Sequence, residues 1–305
     1  MIILSWNIEH MRLDKITRSS ENFRMFYQVL CIADIAFTYE GKDPNTAEEV
    51  CELLNQSRAE LAKQTGSPFR TTDTFHWQCG AFNVGLGECV HTFWKMDKIK
   101  TVSHLKDIED KFKAMNLGER YPACYEIETL NQRKVRVGAW HCAGPAVTLA
   151  SSVKGRFQNI DGLHYLFGDL NFQAPPPDDP AHATQGFPAM PSTSSFAAPL
   201  PPSAPSIASA SPAVSSSITN PQPSPPRRVM LRLPKMREMH AVGLQSPSTF
   251  SPAGAARRWT GPIDRVFAAG EVRSRTKVFQ YRAIDPKLAI ALTNHVPIII
   301  LINVD

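Results

Sequence analysis

The chain has 305 residues, 43% hydrophobic and 20% charged, a globular composition with length for one large domain or two small ones. Its formal net charge of +5 permits a polyanionic partner without demanding one, because a diffuse excess of Lys and Arg is more often solvated surface than a binding face. The six cysteines, Cys31, Cys51, Cys79, Cys89, Cys124 and Cys142, show no Cys-x-x-Cys spacing, which argues against a zinc ribbon or a disulfide scaffold and for reduced thiols.

The opening "MIILSWNIEH" lacks a basic leader, and Asn7 and Glu9 break its apolar run. No ordinary signal peptide is expected, and no later run is long enough to span a bilayer. The expectation is an intracellular monomer, although export by a leaderless route would leave the same sequence. "IILSWNI" reads as a first strand and "CIADIAFTYE" as a second, buried strand ending on a carboxylate. "NTAEEVCELLNQSRAELAKQTG" reads as a helix: Thr46 and Glu49 have capping-box spacing, Val50, Leu53, Leu54 and Leu61 share a face, and Gly66 can end it. Strand patterns follow at "GECVHTFWK", "YPACYEIE", "KVRVGAWH", "LHYLFGD", "IDRVFAA" and "VPIIILINV". Many strands with few helices suggest an α/β protein of two packed sheets with helices outside them, not a doubly wound parallel sheet.

One segment interrupts this pattern. Residues 174–226 hold 15 of the chain's 25 prolines and no Lys, Arg or Glu, which is incompatible with a helix or a central strand. We read it as a disordered insert within a single domain spanning 1–305; its Pro-x-x-Pro spacing, as at Pro202 and Pro205, offers a protein-docking alternative. The basic stretch after it, with Arg227, Arg228, Arg232, Lys235 and Arg237, reads as a solvated re-entry into the fold, with a phosphate-contacting loop as the alternative.

Several strands end on a residue able to hold a metal or move a proton: Asn7, Glu40, His141, Asp169 with Asn171, Asp264, and the pair Asn294-His295. A lone His at a strand end is more often a satisfied structural residue, and a lone Glu more often faces water. Recurrence at successive strand ends is different, because a rigid scaffold can aim such ends into one cleft.

The segments "SWNIE", "IADIAFTYE", "GAWHCAGP", "LFGDLN", "GPIDRVF" and "TNHVPI" resemble, in order and spacing, the motifs of the endonuclease/exonuclease/phosphatase superfamily. The deoxyribonuclease I and cytolethal distending toxin branch looks nearest. The resemblance spans the chain outside the insert and implies a four-layer sandwich of two mostly antiparallel mixed sheets flanked by helices. It further implies phosphoester hydrolysis with Mg2+, or Mn2+. Carried over residue by residue, Glu40 would be the main metal ligand, with Asn7, Asp169 and Asn294 at the metal. Arg120, Asn171 and Asn7 would contact substrate phosphate. Glu88 would orient His141, and Asp264 would orient His295.

These residue types suit that chemistry. Hydrolysis builds negative charge on phosphoryl oxygens, needs an activated water and needs a proton for the departing oxygen. A hard cation offsets the charge, and two carboxylate-paired histidines supply base and acid near neutral pH. Which histidine does which stays open, and Asp169 is the base in some members of the superfamily. The chain also departs from the pattern. Asn294 replaces an aspartate, Leu86 stands where deoxyribonuclease I has a groove-contacting tyrosine, and Lys42 where it has an arginine. Three functions follow: a DNA endonuclease; a phosphatase or phosphodiesterase on a phosphoinositide, phospholipid or small phosphate ester; and a catalytically reduced binding module.

Overall fold

The computed structural model describes residues 1–64, 76–115, 119–142, 156–160, 162–171, 236–242, 249–251, 258–260, 263–281 and 292–303. The expected insert at 174–226, Gly66, and Arg227, Arg228, Arg232 and Lys235 lie outside them.

From the N-terminus the elements are β1 (Ile2–Asn7), α1 (Leu13–Ile16), α2 (Ser20–Leu30), β2 (Ile35–Gly41), α3 (Asn45–Gln64), β3 (Trp77–Gly85), β4 (Glu88–Lys95), β5 (Ile99–His104) and α4 (Lys106–Ala114). They continue with β6 (Ala123–Thr129), β7 (Lys134–Ala139), β8 (Arg156–Ile160), β9 (Tyr165–Asp169), β10 (Met236–Ala241), β11 (Thr249–Ser251), β12 (Arg258–Thr260), β13 (Asp264–Ala269), α5 (Gly270–Arg273), β14 (Thr276–Gln280) and β15 (Ile298–Ile302). A six-stranded sheet has the order β14-β15-β1-β2-β4-β3 and a seven-stranded sheet the order β5-β6-β7-β9-β13-β10-β8; β11 and β12 form a separate ribbon. Among the described residues only β1 with β2 and β7 with β9 pair in parallel.

The layering follows from which face each side chain takes. Along a strand successive side chains alternate faces. In β1 and β2, Ile3, Ile35, Phe37 and Tyr39 pack against Tyr125, Val137, Phe167 and Val266 of the other sheet, forming the central core. Leu4, Trp6 and Ala36, on the opposite face, pack under Met25, Phe26, Val29 and Leu30 of α2 and Val50 and Leu54 of α3. The second sheet covers its outer face with Ile108 and Phe112 of α4, which meet Cys124, Leu166 and Phe267. The result is the expected four-layer sandwich, helix, sheet, sheet, helix. Both faces of the central strands are buried, so β1 and β15 read as continuous apolar runs rather than alternating ones.

Two boundaries differ from the sequence reading. The second strand begins at Ile35, not at residue 31, because the apolar run starts inside α2: Cys31 N–H donates to Tyr27 O as the last helical turn. α2 itself has the 3–4 spacing of Met25, Phe26, Val29 and Leu30, and the Ser19 hydroxyl accepts from Asn22 N–H at 3.1 Å as its cap. The start of α3 is held by Asp43, whose carboxylate accepts from Asn45 N–H at 2.9 Å, so the helix opens one residue ahead of the Thr46 capping box. β6 begins after Pro122 and β15 after Pro297, consistent with the missing proline N–H in a ladder.

Candidate active site

The strand ends meet at one end of the sandwich. Asn7 ends β1, Glu40 lies in β2, Asp169 ends β9 and Asp264 opens β13, where it pairs in register with Asp169. His141 follows β7 in a segment that continues along β9, with Cys142 N–H donating to Asp169 O at 2.8 Å. His295 precedes β15.

Backbone strain marks the site. Glu40 has φ 61° and Asn171 φ 52°, left-handed values that L side chains rarely adopt, and such residues cluster at functional sites. Glu40 sits where the β2–β4 register shifts between Thr38 and Gly41, a bulge that re-aims its carboxylate. Gly41 makes that possible, since a Cβ there would overlap the His91 ring. Gly168, at φ +138°, lets β9 run so close to Trp140 that a Cβ would collide with the Trp140 carbonyl oxygen.

Asn7 ties the two sheets together. Its Nδ2 donates to Glu40 Oε1 and to Asp169 Oδ2, each at 3.0 Å. Because both partners only accept, the amide cannot be turned the other way, and Asn7 Oδ1 is left buried with no partner among the described residues. The same holds for Asn294 Oδ1. Asn171 N–H donates to Asp169 Oδ1 at 3.1 Å, while its Nδ2 donates to Cys142 O at 2.7 Å.

Two histidine–carboxylate pairs flank this group. His141 Nδ1 lies 3.0 Å from Glu88 Oε2, and His295 Nδ1 lies 2.9 Å from Asp264 Oδ2. Both Nε2 atoms converge on Asp169 Oδ2, at 3.8 Å and 3.6 Å respectively. His141 Nε2 is also 3.4 Å from the Arg120 guanidinium and 3.6 Å from Glu40 Oε1. Arg120 only donates, so in that contact Nε2 accepts and the Nδ1 proton faces Glu88.

The electrostatics follow burial and partners. Burial pushes Glu88 up, yet His141, Lys42 and Arg120 outweigh it and hold its carboxyl at about 2. Burial also works against charge on His295, but the Asp264 carboxylate, helped by Asp169, pushes it up to about 9. Asp169 is raised above the usual carboxylate range, first by burial and then by Asp264 opposite it. Glu40 lies below its ordinary value: burial raises it, while Asn7, His141 and His10 lower it further.

The residues expected at the site meet in this cluster with one exception: Asn294 neighbours it in sequence, and its buried Oδ1 has no partner among the described residues. Arg120, expected on substrate phosphate, is bound to Glu88 at 2.6 Å, and Lys42 joins the same carboxylate at 2.9 Å. Sequence reasoning missed Thr293, whose hydroxyl donates to Asn7 O at 2.7 Å and accepts from His295 N–H at 3.1 Å, so that it sets both residues. It also missed His10, whose N–H and ring approach Glu40 Oε2 at 3.2 and 3.4 Å. The adjacency of Thr293 to Asn294-His295 and of His10 to "WNIE" was the available signal.

A cation fits this donor set. Glu40 and Asp169 offer carboxylate oxygens, and the orphaned amide oxygen of Asn7, whose Nδ2 bridges them, adds a neutral one, ligation of the kind that magnesium and manganese take. An unsatisfied buried carbonyl costs about 1–3 kcal/mol, which a cation would offset. Asp169, Asp264 and His295 also place one ligand atom each within 4.8 Å of one another.

No family model and no curated protein matches the chain. Solved structures do resemble it. A 3'-5' exonuclease from Neisseria meningitidis is 11% identical over 99% of this chain and 100% of its own, with a TM-score of 0.45. An endonuclease/exonuclease/phosphatase family protein from Leptotrichia buccalis is 10% identical over 99% of each chain, TM-score 0.46. The inositol polyphosphate 5-phosphatase domain of a synaptojanin, in complex with inositol (1,4)-bisphosphate and calcium ion, is 12% identical over 98% of this chain and 82% of its own, TM-score 0.44. One of these neighbours is an exonuclease, one a phosphatase domain, and one bears the endonuclease/exonuclease/phosphatase family name. At such identity they leave the substrate to the chain's own residues.

Proposed function

We propose that the protein is a metal-dependent phosphodiesterase of the endonuclease/exonuclease/phosphatase type that hydrolyses nucleic acid, with DNA as the substrate. The observation that carries this reading is the convergence of two carboxylate-backed imidazoles on one buried carboxylate, Asp169, beside Glu40 and Asn7. A divalent cation, Mg2+ or Mn2+, held by Glu40, Asn7, Asp169 and Asn294, would supply positive charge against the phosphoryl oxygens when bound. Arg120 and Asn171 bind and orient the phosphate, and the Arg120 guanidinium stays positioned by Glu88. The hydrogen-bond asymmetry supports His141 as the group that takes a proton at Nε2, with Glu88 fixing its tautomer, and His295 as the group that gives one at Nε2, with Asp264 behind it.

The +5 charge and Arg120 favour a polyanion. A second reading, a phosphoinositide, phospholipid or small phosphate ester, is favoured by Leu86: it stands 52% exposed at the tip between β3 and β4, two residues from Glu88, where an apolar contact suits a substrate less than fully polar. The test is cleavage of plasmid DNA with Mg2+ or Mn2+, with inositol phosphates and phospholipids assayed in parallel. DNA cleavage lost in His295→Ala supports the proposal. Intact DNA with phosphate or headgroup release moves the substrate to the second reading, and no turnover on any of them leaves a binding module.

A further inference from the structure

The end of the sandwich away from the strand ends described above carries a cavity of about 160 Å³ lined by Arg133, Lys134, His164, Arg275 and Asn303, with Tyr165 in its wall. Lys134 opens β7, Tyr165 opens β9 and Asn303 follows β15, whereas His141 follows β7, Asp169 ends β9 and His295 precedes β15. Four strand steps of about 3.3 Å separate Tyr165 from Asp169, so the two places lie about 13 Å apart along β9.

Among the described residues no carboxylate lines the cavity, although Glu271 acts on Tyr165 in its wall, and three of its side chains are cationic at neutral pH. Lys134 is shared with Glu126 at 2.7 Å, and the same carboxylate takes Arg136 Nε at 2.8 Å, so Glu126 is neutralised from two sides. His164 lines the wall beside them. Its Nδ1 accepts the Arg136 N–H at 2.9 Å, which leaves the proton of the neutral imidazole on Nε2. Size limits the ligand. Drug-sized molecules occupy pockets of about 300–1,000 Å³ and a water needs about 10–15 Å³, so this volume suits a compact anion rather than a whole nucleotide.

We infer that this cavity is a second anion site, distinct from the catalytic cleft, that takes a compact phosphate-bearing ligand through Arg133, Lys134, Arg275 and His164. Guanidinium groups match phosphate oxygens in pairs, and Asn303 adds an amide. The ligand chemistry is a phosphate or diphosphate group, either free or at the end of a larger molecule.

The test is calorimetric titration of the full chain, free of divalent metal and at low salt, with inorganic phosphate, pyrophosphate and glycerol 3-phosphate. An Arg120→Ala background removes the anion contact of the cleft. Arg133→Gln/Arg275→Gln is then added; both substitutions keep the backbone bonds Thr129 N–H to Arg133 O and Asn303 N–H to Arg275 O. Binding in the Arg120→Ala protein that weakens at least about tenfold in the triple variant is the expected result, given the strength of charge-assisted bonds. Pyrophosphate binding without glycerol 3-phosphate binding identifies a free anion, and the reverse identifies a terminal phosphate ester. Absence of binding in the Arg120→Ala protein into the millimolar range, or a change under twofold in the triple variant, overturns the inference. Substrate cleavage by Arg133→Gln/Arg275→Gln with Arg120 intact should equal that of the unmodified chain, which separates this site from the proposed activity.

Discussion

Replacing Glu88 with glutamine removes one negative charge from a place where three donors depend on it. The side chain is 3% exposed and takes Arg120 at 2.6 Å, Lys42 at 2.9 Å and His141 Nδ1 at 3.0 Å. Glutamine keeps the shape but leaves the Arg120 guanidinium, 16% exposed, without its counter-charge. Breaking a buried pair from one side costs about 3–5 kcal/mol. For a domain of this size each kcal/mol lowers the melting temperature by about 2–4 °C, so Glu88→Gln should melt on the order of 10 °C lower at pH 7. The pH dependence supplies the check on cause. Glu88 has its folded carboxyl held at about 2, below its ordinary 4.5. Its charge therefore adds stability above 4.5, and that stability fades as the pH falls from 4.5 toward 2. Denaturant unfolding of both proteins between pH 7 and pH 3 should show a gap that is constant above about 5 and narrows below it. A loss under about 1 kcal/mol at pH 7, or a gap unchanged down to pH 3, would refute the reasoning.

Three other outcomes are expected. Gly168→Ala should destabilise by more than about 3 kcal/mol or fail to yield soluble protein, since its φ is +138° and a Cβ meets the Trp140 carbonyl; Gly270→Ala, with no atom within 4 Å of a Cβ, should stay within about 1 kcal/mol in the same unfolding assay. Asn294→Asp should tighten Mn2+ or Mg2+ binding about tenfold by calorimetry, because it places a charge where an amide oxygen now lies buried without a partner among the described residues; unchanged affinity would remove Asn294 from the proposed metal ligands. Deleting 174–226 should shift the melting temperature by no more than about 3 °C, because a segment with 15 prolines and little large apolar surface has little to add to a core; a larger fall would make that segment part of the fold.

The strand ends were legible because chemistry-bearing residues flank apolar runs, following them at Asn7, Glu40, His141 and Asp169 and preceding them at Asp264 and His295, and such runs are what buried strands require on both faces. Asn7, Glu40, His141, Asp169, Asp264 and His295 were all readable in this way. α2 was not, since its apolar face merges into the run that starts β2 and no glycine or proline separates them. The short α4 was hidden for a related reason: only Ile108 and Phe112 on its buried side are apolar, too few to show a period.

The roles of Arg120, Lys42 and Thr293 depend on contacts between segments distant in sequence. Arg120 and Lys42 reach Glu88 from different connections, and Thr293 bridges Asn7 O and His295 N–H across 286 residues of chain. The sequence alone determined which side chains could do the chemistry and that two buried sheets would carry them, because composition and apolar periodicity are local properties. Only the tertiary structure decided that one amide, Asn7 Nδ2, would bridge carboxylates from both sheets and leave its oxygen unsatisfied, because that depends on how two strand ends from separate sheets meet.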